Sequence, residues 1–490
     1  MKSVVLGVLS GLLLVLAYPP WGWGSIAPLA IGGFLWAIIG ARRPSEAWFT
    51  GWGFGIAFFA FLFPWLGELV DPAIIALGPL VISQAVFTSI YARVLHRFDL
   101  DRPWLWWMTA TGGWAAMELV RLRFPFGGFG WGLAGYPMGE YALTRNATQF
   151  FGVTGWSVLV VGLAAGVVVW IRASERRPAI AIAGLAALAV VGGAFAPAVS
   201  DGEPVRVAIV QGSTPCPQQR CAGERAAIYE TSLELTRSLE AGSVDLVVWP
   251  EGSTGFSVDP VLDPEIAEEM GAEAERLGAA LLAGGDRPLS DTEWTNANVV
   301  FDTSGDIVGE YPKRHPVPFG EYVPFRPLFA WIPDLSRVPR DMIRGSDPVV
   351  FDEGFGAFGS VISFESSFSR YARHTVNEGA DLIIVATSQA SYPFSNASDQ
   401  LIGMTRMRSA ELGVDVVHSA VTGKSTLITD GGVVGETTEL VEAAVLTGTV
   451  EMRQSGRTMY AVLGDWLALL AAVGLAGTAL YRSAAEGDAR

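Results

Sequence analysis

The first 199 residues are a succession of apolar runs broken by short polar punctuation, at 4–18, 26–40, 48–70, 73–95, 104–119, 151–171 and 179–199. An eighth run, 461–481, comes near the end of the chain. A bilayer core takes about 20 apolar residues per helix, so the pattern predicts a membrane α-helical bundle of about eight transmembrane helices. The first two runs are short enough for a shallow hairpin. Lys2 and the run behind it also fit the start of a signal peptide. No small-x-small cleavage site follows, and Pro19-Pro20-Trp21 opens a turn, so the membrane span is the better reading.

Charge divides the chain in the same place. Residues 1–199 carry 12 Lys and Arg against 8 Asp and Glu, and the rest carries 21 against 41. Half of all residues are apolar and 17% are charged, with a mean hydropathy of +0.36. That excludes a disordered chain and an ordinary soluble enzyme. The acidic half argues against a nucleic-acid partner. Lys2, Arg42 and Arg43, the Arg93/Arg97/Arg102 group, the Arg172/Arg176/Arg177 group, and Arg482 with Arg490 fall on alternate connections. The positive-inside rule then puts both termini in the cytoplasm and residues 200–459 outside the membrane. Arg121 and Arg123, beside Glu118, break the pattern, either as functional charges or as a local Glu–Arg pair.

From 204 onward, β-branched runs alternate with amphipathic stretches. Strands are predicted at 205–210, 245–249, 279–284, 298–301, 307–311, 360–364 and 382–386, with three more near Val416, Leu427 and Val445. Helices are predicted at 224–239, 264–277, 369–378 and 399–412. The alternation argues for a layered α/β domain of about 250 residues, large enough to bury a core without disulfides. The domains expected are therefore 1–199 (seven helices), 200–459, and 460–490 with the eighth helix and a short tail. Cys216 and Cys221 are the only cysteines, and the four histidines are scattered, so no metal centre is expected. The two thiols form a local disulfide if the domain faces an oxidising compartment, or stand unpaired in a loop.

The chemical candidates end strands. Glu251 closes Val247-Val248-Trp249-Pro250-Glu251, and Lys313 follows Tyr311-Pro312 and precedes Glu321 by eight residues. Lysine is rare here: Lys2, Lys313 and Lys424 stand against thirty arginines. A lysine in that company suggests a compact ammonium rather than a planar fork. Ser363, in Val361-Ile362-Ser363-Phe364-Glu365, sits where a strand turns into a helix, a geometry that exposes a nucleophile and offers backbone N–H groups to an oxyanion. Each residue alone is more often a solvated cap, a salt-bridge partner or a surface charge. The order Glu, Lys, nucleophile is far more specific.

Taken with these, several stretches resemble the apolipoprotein N-acyltransferases, membrane-anchored members of the nitrilase superfamily. They are Tyr18-Pro19-Pro20-Trp21-Gly22, Glu118 through Arg121, Gly130 through Tyr136, Val210-Gln211-Gly212, Met404 through Glu411, and Tyr460 through Trp466. The resemblance runs nearly end to end and implies a nitrilase-like αββα sandwich between the last two of eight spans. It assigns Glu251 as base, Lys313 as transition-state stabiliser, Glu321 and Glu365 as supporting acids, and the Phe364 N–H as an oxyanion donor. The nucleophile position holds Ser363 where the family has cysteine. Ser388-Gln389-Ala390 and Gln400-Leu401 also depart from the family's Ser-Asn-Asp and Gln-His, and the tryptophan expected after Gln211-Gly212 is missing.

The resemblance implies acyl transfer from a phospholipid donor to the N-terminal amine of a diacylglyceryl-cysteine lipoprotein, through an acyl-enzyme, in the bacterial inner membrane and without cofactor or metal. Some relatives are fused to, or associate with, a polyprenol-phosphate mannosyltransferase; nine residues after the last span leave no fused domain on this reading. A thiol with a pKa near ~8.5 is readily held for attack, whereas an alcohol is far more basic. Help from the Glu–Lys pair requires Lys313 to be neutral enough to take the proton or Glu251 to be a raised carboxylate. Slow or absent turnover is expected. The rival readings are a non-catalytic lipid- or lipoprotein-binding scaffold and a membrane-tethered amidase. Gly423-Lys424-Ser425-Thr426 mimics the end of a phosphate loop, but His418 replaces its first glycine and a strand follows. The apolar segment 324–332 is either a membrane-dipping arm or a packed loop.

Overall fold

The computed structural model describes residues 1–490 except 69–73, 196–201, 218–220, 330–334, 336–337, 455 and 488–490. The chain divides into two compact units, Met1–Pro197 with Thr458–Arg490, and Ala198–Arg457.

The first unit is helical. Its helices are α1 (Lys2–Val15), α2 (Ala27–Ile39), α3 (Pro44–Leu62), α4 (Ile74–Leu95), α5 (Pro103–Arg121), α6 (Ala142–Ala173) and α7 (Arg177–Phe195). Among the described residues, three stretches are long and apolar enough to cross a membrane: Leu77–Leu95, Ala142–Ala173 and Arg177–Phe195. Lys2–Val15, Gly24–Ile39 and Trp466–Leu475 are apolar but shorter. The run predicted at 48–70 is displaced. Its helix starts at Pro44, where proline suits the first turn, and stops at Phe63 because Pro64 cannot continue the hydrogen-bond ladder. Gly152, at φ 69°, interrupts α6 close to where the sixth run was predicted to begin.

Glu118 and Arg121, both buried in α5, do not form the ion pair considered above. Glu118 Oε1 accepts from Trp114 Nε1 (2.8 Å) and from the Ala134 backbone N–H (2.9 Å). Arg121 donates to the Trp131 carbonyl at 2.8 Å. Three residues apart on a helix they share a face, and both brace the same 131–134 loop rather than each other.

The second unit is a two-sheet α/β sandwich. In chain order it holds β1 (Pro204–Gln211), α8 (Glu224–Arg237), β2 (Leu246–Gly255), α9 (Pro264–Leu277), β3 (Ala280–Pro288), β4 (Glu293–Phe301), β5 (Ile307–Pro312), α10 (Arg326–Phe329), β6 (Asp341–Met342), β7 (Val350–Asp352), β8 (Ala357–Ile362), α11 (Ser369–Asn377), β9 (Leu382–Thr387), α12 (Ala397–Leu412), β10 (Asp415–Ala420), β11 (Thr426–Thr429), β12 (Val433–Thr437) and β13 (Ala444–Glu451). One sheet runs β13-β1-β2-β3-β4-β5, with β6 on β4, and the other β12-β11-β10-β9-β8-β7. The centre of each is parallel, β1-β2-β3 and β8-β9-β10; the strands outside are antiparallel except β6, which runs parallel to β4. Parallel strands need both faces covered, which is why they read as unbroken apolar runs.

One core lies between the sheets, joining Val207, Ile209, Val248 and Leu282 to Phe358, Leu382, Ile384 and Val417. A second joins the outer face of the first sheet to α8 and α9 through Trp249, Tyr229, Leu233, Met270 and Leu277. Strands β6, β7 and β12, of two, three and five residues, were absent from the sequence reading. Edge pieces that short carry too little periodicity to register. Cys216 and Cys221 are joined by a disulfide, which closes one of the two alternatives. After Lys424 the chain enters β11, and Lys424 Nζ pairs with Asp399 at 2.7 Å, as a structural surface contact. Of the 324–332 segment, Arg326–Phe329 forms α10, and 330–332 lie outside the described residues. From unit two the chain returns through α13 (Met459–Leu463) and α14 (Trp466–Gly487) to the first unit.

Candidate active site

Strand ends deliver the predicted carboxylates and lysine to one place. Glu251 lies in β2, and Lys313 immediately follows β5. The Lys313 side chain is fully buried. Its Nζ donates to Glu321 Oε1 at 2.5 Å and to Glu251 Oε1 at 3.3 Å. Lys313 N donates to the Asn296 carbonyl at 2.8 Å, and its carbonyl accepts from Gly345 N at 2.9 Å, so the lysine backbone is held on both sides. Glu321 is held in turn by the Val317 N–H, which donates to Oε2 at 2.7 Å.

Burial alone lowers an ammonium, but the Glu251 and Glu321 carboxylates outweigh it and hold Lys313 above its ordinary range. It therefore stays charged. A lysine held as the ammonium by two carboxylates is not the neutral amine that one route to serine activation requires. Glu321 moves the other way. Burial, opposed by Lys313 and reinforced by Glu251, pushes its carboxyl up to about 7.

Ser363 sits just past β8, at the first position of a short 3-10 turn, Ser363–Ser367. Its φ of 50° lies in the left-handed region, which a non-glycine residue occupies at a cost of about 1 kcal/mol and which recurs at strained nucleophile turns. The residue is half-buried. Its Oγ hydrogen bonds to no described residue, so the structure places Ser363 at the expected elbow without joining it to Glu251 or Lys313.

Glu365 does something the sequence did not announce. It is completely buried, and its carboxylate accepts four hydrogen bonds. Oε1 takes the backbone N–H of Arg314 and that of His315 (2.9 Å), and Oε2 takes Tyr311 Oη (2.7 Å) and the Ile362 N–H (2.8 Å). It pins the turn carrying Ser363 and Phe364 to the loop carrying Lys313.

Three further residues belong to the site. Asn296, on β4, donates from Nδ2 to Glu251 Oε1 at 2.7 Å. Lys313 and Asn296 thus share one oxygen of Glu251, and Oε2 has no described partner. The signal was two buried asparagines two apart on a strand, Asn296 and Asn298, facing inward on the same side. Tyr392, two residues after Ser388-Gln389-Ala390, lies in the field of Glu251, Lys313 and Glu321, and burial followed by the Glu251 charge raises its phenol. His315 stacks on Phe364 (centroids 5.3 Å apart), meets Phe368 edge-on at 4.6 Å, and pairs with Tyr371 Oη through Nδ1 at 2.9 Å. Burial first, then Arg370 and Lys313, lower it to about 3, so the imidazole is neutral. His374, on α11, is exposed and lies 3.6 Å from Glu378. Among the described residues no group of three His, Cys, Asp or Glu side chains is arranged to hold a metal ion.

The buried Glu–Lys pair thus lies at strand ends of one sheet, and Ser363 follows a strand of the other. The carbon-nitrogen hydrolase family model matches residues 206–458, and the apolipoprotein N-acyltransferase N-terminal domain model matches residues 10–166. The chain belongs to the carbon–nitrogen hydrolase family and, within it, to the apolipoprotein N-acyltransferases. It is 28% identical to the apolipoprotein N-acyltransferase of Methylococcus capsulatus, over 98% of this chain and 96% of that one. It is 29% identical to that of Geobacter metallireducens, with the same two coverages. Among solved structures, the carbon–nitrogen hydrolase of Helicobacter pylori G27 aligns at 15% identity and a TM-score of 0.39, over 51% of this chain and 89% of that one.

Proposed function

We propose that the protein is an apolipoprotein N-acyltransferase that moves an acyl chain from a phospholipid to the N-terminal amine of a lipoprotein's diacylglyceryl-cysteine. The observation that carries the reading is the buried Lys313 ammonium held between Glu251 and Glu321, in a chain related to such enzymes over 98% of its length. Ser363 Oγ attacks the ester carbonyl of the donor while Glu251, through its unshared Oε2, takes the hydroxyl proton. Lys313 and the Phe364 N–H receive the developing oxyanion. The carbonyl re-forms, the glyceryl oxygen leaves with the proton returned by Glu251, and an ester-linked acyl-enzyme remains. The lipoprotein amine then attacks, gives its proton to Glu251, and releases Ser363, which recovers that proton. Glu321 anchors Lys313, and Glu365 sets the distance between elbow and lysine loop.

Eight helical spans, both termini in the cytoplasm, and the 200–459 domain on the extracytoplasmic face complete the proposal. The loop arginines support the orientation. A polyprenol-phosphate mannosyltransferase is the proposed partner, on the family resemblance, and co-purification from the native membrane tests it.

Intact-mass spectrometry of the purified protein after incubation with a defined phospholipid tests the chemistry. An acyl adduct on the parent that disappears in Ser363→Ala is expected. An adduct on Ser363→Cys alone makes the native protein a binder with an intact pocket, which is the second reading. The observation behind that second reading is the Ser363 Oγ, which has no hydrogen-bonded base among the described residues.

A further inference from the structure

Glu251 is carried by an irregularity within β2 rather than by its regular ladder. Strands β2 and β3 pair in parallel register from Leu246–Ala280 to Trp249–Ala283, and the pairing resumes at Thr254–Gly285 and Gly255–Asp286. Four residues, Pro250-Glu251-Gly252-Ser253, therefore stand against Gly284 alone. A bulge of this kind bends the strand and re-aims a side chain, and it takes backbone groups out of the ladder. In a buried position those groups need partners from elsewhere.

Gly284 makes room for the bulge: a Cβ there would come within 2.8 Å of Glu251 Cα and 3.0 Å of the Pro250 carbonyl oxygen. Ser253 Oγ donates to the Pro250 carbonyl at 2.9 Å. Arg225, in the first turn of α8, reaches the bulge from outside the sheet. It donates from Nη1 to the Gly252 carbonyl and from Nη2 to Asp286 Oδ2. Asp286 lies on β3, opposite Gly255, where the ladder has resumed. One planar guanidinium thus spans the break, with one arm on the bulge and the other on the strand it has left. Gly252 has a φ of 83°, in the left-handed region, and a Cβ on it would fall against Arg225 Nη1. A glycine directly after Glu251 is what admits the guanidinium. Arg225 is itself anchored. Its side chain is half-buried, and its neighbour Glu224 accepts from Thr214 Oγ1 at 2.6 Å. Thr214 Oγ1 in turn accepts from Cys216 N at 3.2 Å, which ties the start of α8 to the segment closed by the Cys216–Cys221 disulfide.

We infer that Arg225 is a positioning residue for Glu251, bracing the bulge that presents this carboxylate to the site. Asn296 and Lys313 hold the Glu251 carboxylate from β4 and from the loop after β5. Arg225 holds the backbone that carries it, through the carbonyl of the next residue. Side-chain contacts fix where a carboxylate points only if its Cα is fixed as well, and a shift of about 1 Å at a reacting group is costly. The effect on rate rests on the proposed role of Glu251 as base; the brace itself does not.

The test compares full-length parent, Arg225→Ala and Arg225→Lys in a neutral detergent. Alanine and lysine both suit a helix, so neither substitution opposes α8. Amide hydrogen exchange read by mass spectrometry reports the brace directly. Peptides covering 251–254 are expected to exchange at least about tenfold faster in Arg225→Ala, with peptides from the second sheet unchanged. Arg225→Lys is expected to resemble Arg225→Ala, because a single ammonium cannot fork between a carbonyl and a carboxylate. Acyl-adduct formation reports the consequence. Its maximal rate is expected to fall by about tenfold in Arg225→Ala with the half-saturating phospholipid concentration unchanged. Added methylguanidinium is expected to restore both rate and protection in Arg225→Ala. Unchanged exchange at 251–254 overturns the brace, and faster exchange with an unchanged adduct rate overturns the positioning role. Faster exchange throughout the domain, with no recovery on methylguanidinium, makes Arg225 a general folding contact and overturns the inference as well. If neither the parent nor Ser363→Cys forms an adduct, the acyl-transfer reading fails, and the exchange comparison still decides the brace.

Discussion

Lys313 Nζ and Glu251 Oε1 lie 3.3 Å apart across the open end of the first sheet, and Asn296 occupies the same carboxylate oxygen at 2.7 Å. The lysine and Glu251 are therefore a fixed pair, with Oε1 of Glu251 committed to holding it in place and Oε2 without a described partner.

Replacing Lys313 removes both the ammonium and the partner of two buried carboxylates. Lys313→Met is expected to slow acyl-adduct formation by at least about a hundredfold. It is also expected to destabilise the protein by about 3–5 kcal/mol, because breaking a buried pair strands a charge. Adduct kinetics and denaturant unfolding measure the two losses. A variant that acylates at the parent rate removes Lys313 from the reaction.

Asn296→Ala leaves Lys313 as the only donor to Glu251 Oε1. The expected result is an adduct rate lower by about tenfold with phospholipid affinity unchanged, since the asparagine holds the carboxylate proposed as the base. Equal losses in rate and affinity are the signature of general damage to the strand.

Glu365→Gln retains shape but turns one acceptor oxygen into a donor facing backbone N–H groups. A stability loss of about 1–3 kcal/mol is expected, together with lost acylation in the parent and in Ser363→Cys alike. Should the Ser363→Cys protein still acylate fully once Glu365→Gln is added to it, the elbow does not depend on this carboxylate.

Glu321 fixes the direction of one pH effect. Its carboxyl is raised from 4.5 to about 7 in the folded protein, so between those values the folded state binds the extra proton. Its contribution to stability is complete below about 4.5 and is lost as pH rises through about 7. Melting temperature of the parent, measured relative to Glu321→Gln, is expected to fall across that window. A relative rise would place the retained proton elsewhere in the cluster.

Ser363→Cys is expected to acylate faster than the parent, with the gain growing as pH approaches the thiol's ordinary pKa of ~8.5. The ratio of adduct rates across roughly pH 6–9 reads this directly. A pH-independent ratio would mean the elbow, not the nucleophile's acidity, limits the step.

Much of this was legible beforehand. Helix α9 falls on residues 264–277 as expected, because Asp263 caps it, Pro264 opens it and Gly278 closes it. The parallel strands were visible as apolar runs, and Glu251, Lys313 and Ser363 were singled out at their ends. Helix α3 was misplaced because aromatic residues continue past Pro64 and mask the break. Asn296 and Tyr392 carried no charge to attract notice.

Sequence by itself determined the partition into an apolar, slightly basic half and an acidic α/β half, since burial and period are written residue by residue. It also singled out the side chains proposed to carry chemistry, because strand ends and rare residue types are local facts. Only the tertiary structure decided what those residues do to one another. Lys313 stays an ammonium because two carboxylates from different elements surround it in a buried volume, and Glu365 is a backbone clasp because two loops meet on it. Both are consequences of distance and desolvation, which no linear order of residues contains.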